Sequence, residues 1–251
     1  MKKFFYLQFA LFLAVTCAAS AQSVDEIIAA NLKARGITQQ TSCYIDGEQS
    51  VMGQSAPLKY WFNFDKKFRL EQSTQGMDVI IARDGEECWL SYPNGIQGFP
   101  ISELDKIDKS NSFFTLISNC PLANYKQMGL KVTYQGTDLI DGKTCHIIQV
   151  DYPNDLRINI FIDPKTNLEV KYEQIIPSLF EINDEEIDEQ TRMVNALMQP
   201  ILTPSDWKTF DGILVPTKAE AQIGDMMTMT FSIKDVKFNQ KFDNKLFSKP
   251  E

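Results

Sequence analysis

A chain of 251 residues with 25 basic and 33 acidic side chains carries a net charge of −8, which repels polyanions and argues against non-specific nucleic-acid binding. Hydrophobic residues make up 43% of it, enough for one sizeable core. A single histidine, His146, leaves little scope for imidazole chemistry.

Lys2 and Lys3 precede an apolar run from Phe4 to Val15 broken only by Gln8, and Ala19-Ser20-Ala21 supplies small residues for cleavage. The pattern predicts a signal peptide over residues 1–21, export to the periplasm, and a mature domain over residues 22–251. The run is shorter than the roughly 20 residues that a membrane span needs. No later segment is long and apolar enough to span, so the mature chain is expected to be soluble. A lipid anchor at Cys17 is the alternative. Removing Lys2 and Lys3 leaves 23 basic against 33 acidic residues, a net charge of −10.

Ser23 and Glu26 have capping-box spacing, Val24, Ile27, Ile28 and Leu32 follow a helical period, and Gly36 is a natural stop. Strands are expected next: Cys43 to Met52, Tyr60 to Phe64 (with Tyr60, Phe62 and Phe64 on one face), Phe68 to Gln72, and Met77 to Ala82. Asp84-Gly85 signals a hairpin into Cys88-Trp89-Leu90. Phe113, Phe114, Leu116, Ile117 and Cys120 suggest a short helix ended by Pro121.

Leu130 to Tyr134 returns to strand, and Asp141-Gly142 turns into Thr144 to Val150. Ile158, Ile160 and Ile162 share a face, a tight turn over residues 163–167 leads to Leu168, Val170 and Tyr172, and Val215 to Ala221 and Met227 to Phe238 complete the sheet. Residues 177–200 interrupt this series as an insertion with an acidic run from Asp184 to Glu189. There Ile187, Val194, Leu197, Met198 and Ile201 recur at near-helical spacing. Two readings are open: a solvated connector helix, or a lid whose methionine-containing face closes over an apolar surface.

Chemistry is sparse. There is no H-E-x-x-H, no G-x-S-x-G and no glycine-rich phosphate loop. His146 lies inside a strand and the acidic run reads as a solubilising face. No catalytic residue, metal ligand or cofactor is expected, and the chain does not read as an enzyme. Cys43, Cys88, Cys120 and Cys145 lack any C-x-x-C spacing, so buried free thiols and disulfide bridging stand as alternatives. By composition the apolar rows make a filled core; the competing reading is an open, curved sheet whose concave side holds acyl chains.

In order, the helix from Ser23, the aromatic strand Tyr60-Trp61-Phe62-Asn63-Phe64 with Phe68 after its turn, Asp84-Gly85-x-x-x-Trp89 ending at Pro93, the helix Ser112-Phe113-Phe114-Thr115-Leu116-Ile117 before Tyr125, and Asp243-x-x-x-Phe247-x-x-Pro250 resemble the LolA-like periplasmic lipoprotein carriers. The stretch from Asp211-Gly212 to Pro216 is similar to broader members of that superfamily. The resemblance implies an α+β, mainly antiparallel fold: an open, unclosed β-barrel with helices plugging its concave face. It implies binding of acyl chains of lipids or lipoproteins, lined by Tyr60, Phe62, Phe68, Leu70, Phe113, Leu116 and Ile117. Phe64, Met227, Met229 and Phe231 complete the expected lipid-binding set. Expected partners are an envelope protein acting as donor or acceptor, with the carrier itself a monomer. A second function is an envelope sensor or interaction module that binds lipid and a protein partner without transport. The family's arginine before the turn, which holds its lid closed, is replaced here by Phe64, and an aromatic ring lacks the guanidinium's fork of donors.

Overall fold

The computed structural model describes residues 23–38, 40–74, 76–99, 112–152, 156–175, 199–224 and 227–250. The expected signal peptide and nearly all of the insertion, including Ile187, Val194, Leu197 and Met198, lie outside them.

The chain opens with helix α1, Val24–Arg35. Ser23 Oγ accepts from the Glu26 amide and the Glu26 carboxylate accepts from the Ser23 amide, so the capping box forms. Gly36 ends the helix at φ 68°, and a Cβ there would sit 2.4 Å from the Gly212 carbonyl oxygen, so both conformation and space require glycine.

Six strands follow as a meander: β1 Ser42–Val51, β2 Gln54–Asn63, β3 Lys67–Thr74, β4 Met77–Asp84, β5 Glu87–Tyr92 and β6 Gly95–Phe99. Helices α2, Ser112–Asn119, and α3, Pro121–Asn124, come next. Pro121 both ends α2 and begins α3, because a residue at the first helical position has no amide bond to lose. A second meander comprises β7 Lys131–Ile140, β8 Lys143–Asp151, β9 Arg157–Ile162, β10 Glu169–Ile175, β11 Pro200–Phe210, β12 Ile213–Ile223 and β13 Met227–Phe238. The two-residue turns Asp141-Gly142 and Asp211-Gly212 have positive φ throughout, which matches the right-handed twist of the strands they join.

Among the described residues, thirteen strands form one antiparallel sheet in the order β6-β5-β4-β3-β2-β1-β13-β12-β11-β10-β9-β8-β7. The sheet is not closed: β6 and β7 are its two edges, and the first and last strands pair at its middle, from Cys43 opposite Phe238 to Val51 opposite Met229. Alternation sets the two faces. Ile45, Tyr60, Leu70, Ile148, Ile160, Leu202, Phe231 and Val236 point to the concave side and are buried with α1 and α2 in one core.

The opposite, convex face carries a strap. The 3-10 turn Asn244–Leu246 is capped by Asp243, whose carboxylate accepts from the Lys245 amide. Phe247 then covers outward-facing Trp89: Trp89 Nε1 donates to the Phe247 carbonyl at 2.8 Å, and Arg69 donates to the Leu246 carbonyl at 3.0 Å. Asp243 and Phe247 of the closing motif thus belong to a structural clasp over β3, β4 and β5, whereas Pro250 is exposed.

Several elements exceed the sequence-based expectation. β2 starts six residues before Tyr60, β7 runs on to Ile140, and β6 and β11 are additional strands. Ile201, expected in the lid, is instead the second residue of β11, outward-facing because Leu202 beside it is buried on the concave side. Phe64 lies beyond the end of β2 rather than continuing the face of Tyr60 and Phe62. All four described cysteines are buried and free.

Candidate functional site

The concave face is built from cross-strand rows of apolar side chains. Register places Tyr60 beside Leu70 and Phe62 beside Phe68, and the Tyr60 and Phe68 rings stack with centroids 6.1 Å apart. Tyr60 and Leu70 are buried, while Phe62 and Phe68 are half-buried. Phe64 is half-buried in the following turn, with its ring edge-on to Phe62 at 5.0 Å.

Helix α2 lies across this surface. Phe113, Phe114, Leu116 and Ile117 are all buried, and Phe113 and Phe114 are 1% exposed. Phe113 meets Phe231 at 5.4 Å and Phe114 meets it at 5.5 Å, an aromatic trio joining α2 to β13. Phe114 belongs to the site although sequence reasoning assigned only its neighbour Phe113; its helical spacing was the available signal. Along β13, burial falls from Phe231 to half-buried Met229 and Met227. The expected lipid-facing residues of β2, β3, α2 and β13 therefore converge on one face, with Phe64 at its margin.

Gly47 makes this packing possible. A Cβ at Gly47 would stand 2.6 Å from the Ser232 carbonyl oxygen and 3.3 Å from Phe114 Cε1. The bare glycine, next to a bulge in the β1–β13 register, lets the Phe114 ring rest against the strand backbone.

A buried polar cluster anchors α1 at the same side of the sheet. Arg35 Nη1 is 2.7 Å from Glu169 Oε1, and Arg35 Nε donates to the Leu214 carbonyl at 3.2 Å. Burial alone would lower the Arg35 pKa, but the Glu169 carboxylate and smaller contributions from Cys120 and Tyr172 together outweigh it and hold the guanidinium above its ordinary value. Tyr172 is pushed well up by burial and then by Glu169, and Cys120 is pushed up by burial despite nearby Arg35. Cys43 is likewise pushed up by burial, with Cys120 adding to it. These thiols are therefore protonated and unreactive near neutral pH.

His146 sits half-buried on β8 with Nδ1 3.3 Å from the Tyr134 hydroxyl. Among the described residues no group of histidine, cysteine, aspartate and glutamate side chains is arranged to hold a metal ion. A groove of about 300 Å³ lies over β2, β3 and β4. Its outward-facing rim of Asp46, Pro57, Lys59, Glu71, Ser73, Asp78 and Ile80 places it on the convex face. Three carboxylates, Asp46, Glu71 and Asp78, stand at its edge, and it is separate from the concave site.

No protein-family model and no curated protein matches the sequence. Solved structures do match its shape. A LolA superfamily protein from Nitrosomonas europaea superposes with a TM-score of 0.57 at 10% identity, covering 91% of this chain and 99% of that one. A domain described as an outer membrane lipoprotein-sorting protein from Vibrio parahaemolyticus gives 0.53 at 11% identity over 88% and 94% of the two chains. A DUF1329 family protein from Desulfovibrio piger gives 0.53 at 13% identity over 91% and 98%.

The fold is LolA-like. Within it, the position where the family resemblance expects a lid-holding arginine carries Phe64, and the buried guanidinium is instead Arg35 at the end of α1, held by Glu169 on β10. No helix of the described residues is long and apolar enough to cross a membrane.

Proposed function

We propose that this chain is an exported lipid- or lipoprotein-binding carrier that shelters acyl chains on the concave face of its LolA-like sheet, acting as a monomer and without covalent catalysis. One observation carries the reading: the concave face of an unclosed sheet is covered by an eight-residue helix, α2, that buries four large apolar side chains. A helix this short has little stability of its own and depends on the surface it covers. An acyl chain offers that surface an equivalent apolar partner, at roughly 0.8 kcal/mol for each buried methylene. Tyr60, Phe62, Phe68, Leu70, Met227, Met229 and Phe231 then receive the chain as Phe113, Leu116 and Ile117 move aside. The insertion over residues 177–200 serves as the lid in place of the arginine gate, and an envelope protein delivers or accepts the cargo.

The test is binding by delipidated protein. The parent is expected to copurify with lipid detectable by mass spectrometry after mild purification and, once stripped, to bind a fluorescent acyl probe. Phe62→Glu places a charge on the apolar face and is expected to lose that binding while keeping its circular dichroism spectrum. Unchanged affinity in a folded Phe62→Glu protein overturns the proposal.

A further inference from the structure

Register aligns Met227, Ile223 and Pro200 across β13, β12 and β11, and Gln174, Ile158 and Val150 across β10, β9 and β8. The two triplets meet one residue beyond the Glu173–Ile201 pair of β10 and β11, so they continue one inward-facing row. Five of the six are apolar and Gln174 alone is not. Its side chain is buried, with the residue 2% exposed, and among the described residues Gln174 Oε1 has no hydrogen-bond partner. An unpaired buried carbonyl costs about 1–3 kcal/mol, and a leucine or methionine of similar size would avoid that cost. At the β13 end the same row is half-buried at Met227, Ile223 and Pro200, so the carboxamide stands inward from the more accessible part of an apolar surface.

We infer that Gln174 is the polar anchor of the lipid site and selects lipids whose first group beyond the hydrocarbon is an uncharged hydrogen-bond donor, a hydroxyl or an amide N–H. This rests on the lipid-carrier reading above. The free atom is an acceptor, so it is satisfied by a donor and not by an ester oxygen. A charged headgroup is disfavoured there because desolvation in an apolar row costs more than one neutral hydrogen bond returns. The carboxamide thus marks the depth at which the chain ends and the linkage begins.

The experiment titrates the delipidated full-length mature protein with three lipids carrying ten-carbon chains: decan-1-ol, decanamide and methyl decanoate. The parent is expected to bind at least one donor lipid about tenfold more tightly than the ester, equivalent to 1.4 kcal/mol. Which donor is preferred tells a hydroxyl from an amide. In Gln174→Leu and Gln174→Met the preference is expected to fall below about twofold with ester affinity retained. Ligand-free, both variants are expected to melt at or above the parent temperature, because no buried carbonyl is left unpaired. Equal binding of all three lipids by the parent, a preference that survives both substitutions, or a marked fall in both melting temperatures overturns the anchor and leaves the carrier reading standing. Failure of the parent to bind any of the three overturns both.

Discussion

Arg35 and Glu169 form an ion pair 2.7 Å long with side chains only 5% and 2% exposed, joining the last turn of α1 to the start of β10. Each charge is tolerable in the interior only because the other is present. Arg35→Met or Glu169→Leu alone is expected to cost 3–5 kcal/mol, about the penalty of stranding one buried charge. The double variant is expected to recover most of it. Urea unfolding of the four proteins measures this, and a double variant as unstable as the worse single one contradicts it.

Phe247→Ala tests the clasp on the convex face. Phe247 is 1% exposed and its carbonyl holds the Trp89 indole. Truncation is expected to destabilise the fold by about 3–5 kcal/mol and to shift tryptophan emission to the red as water reaches Trp89. Acyl-probe affinity is expected to persist at temperatures where the variant remains folded, since the clasp and the concave face lie on opposite sides of the sheet.

Gly47→Ala acts from the other side. The added methyl group has to push either the β13 backbone at Ser232 or the Phe114 ring, at a cost of about 1–3 kcal/mol. If the ring yields, α2 sits less firmly and the acyl probe binds faster. Stopped-flow association rates for parent and variant, with stability measured in parallel, test the prediction.

Asp84 gives an acid-side prediction. Lys67 Nζ at 2.9 Å holds its carboxyl below the usual range, Ser248 Oγ at 2.8 Å adds to this, and partial burial opposes both. A carboxyl depressed in the folded state contributes stability that is fully present above its unfolded pKa of about 3.9. That contribution is lost as pH falls through the lower folded value. Asp84→Asn is therefore expected to be less stable than the parent at pH 7, with the gap closing below about pH 4. Denaturant midpoints across that range read it directly.

Much of the sheet was legible because its signals are local. Met227 to Phe238 alternate apolar and polar residues, and Asp141-Gly142 and Asp211-Gly212 name their own turns. β11 was hidden by Pro200, Pro204 and Asp206, which read as strand breakers. Its register with β10 is limited to Ile201 and Leu202, so Pro204 needs no amide on that side, and Asp206 turns aside at φ 56° while its carbonyl accepts from Thr217. β6 was hidden by Gly95 and Gly98. In β10, Leu168, Val170 and Tyr172 suggested one face, but the irregular register between Glu169 and Lys171 resets the alternation, so that Glu169 rather than Val170 shares the buried face of Tyr172 and Gln174. For that reason the Arg35–Glu169 pair did not stand out, while Gln174 is distinguished only by the burial of its side chain, which its sequence neighbours do not reveal.

Because β1 and β13 share the middle of the sheet, the hydrogen bonds that unite the two meanders are supplied by the last long strand to be synthesised. Until Met227 to Phe238 are in place, no strand pairing joins the two meanders, and pairing across nearly the whole chain length must form at the final step. Such distant pairing makes maturation slow. It also leaves the greasy inner surface uncovered while the growing polypeptide waits for its keystone.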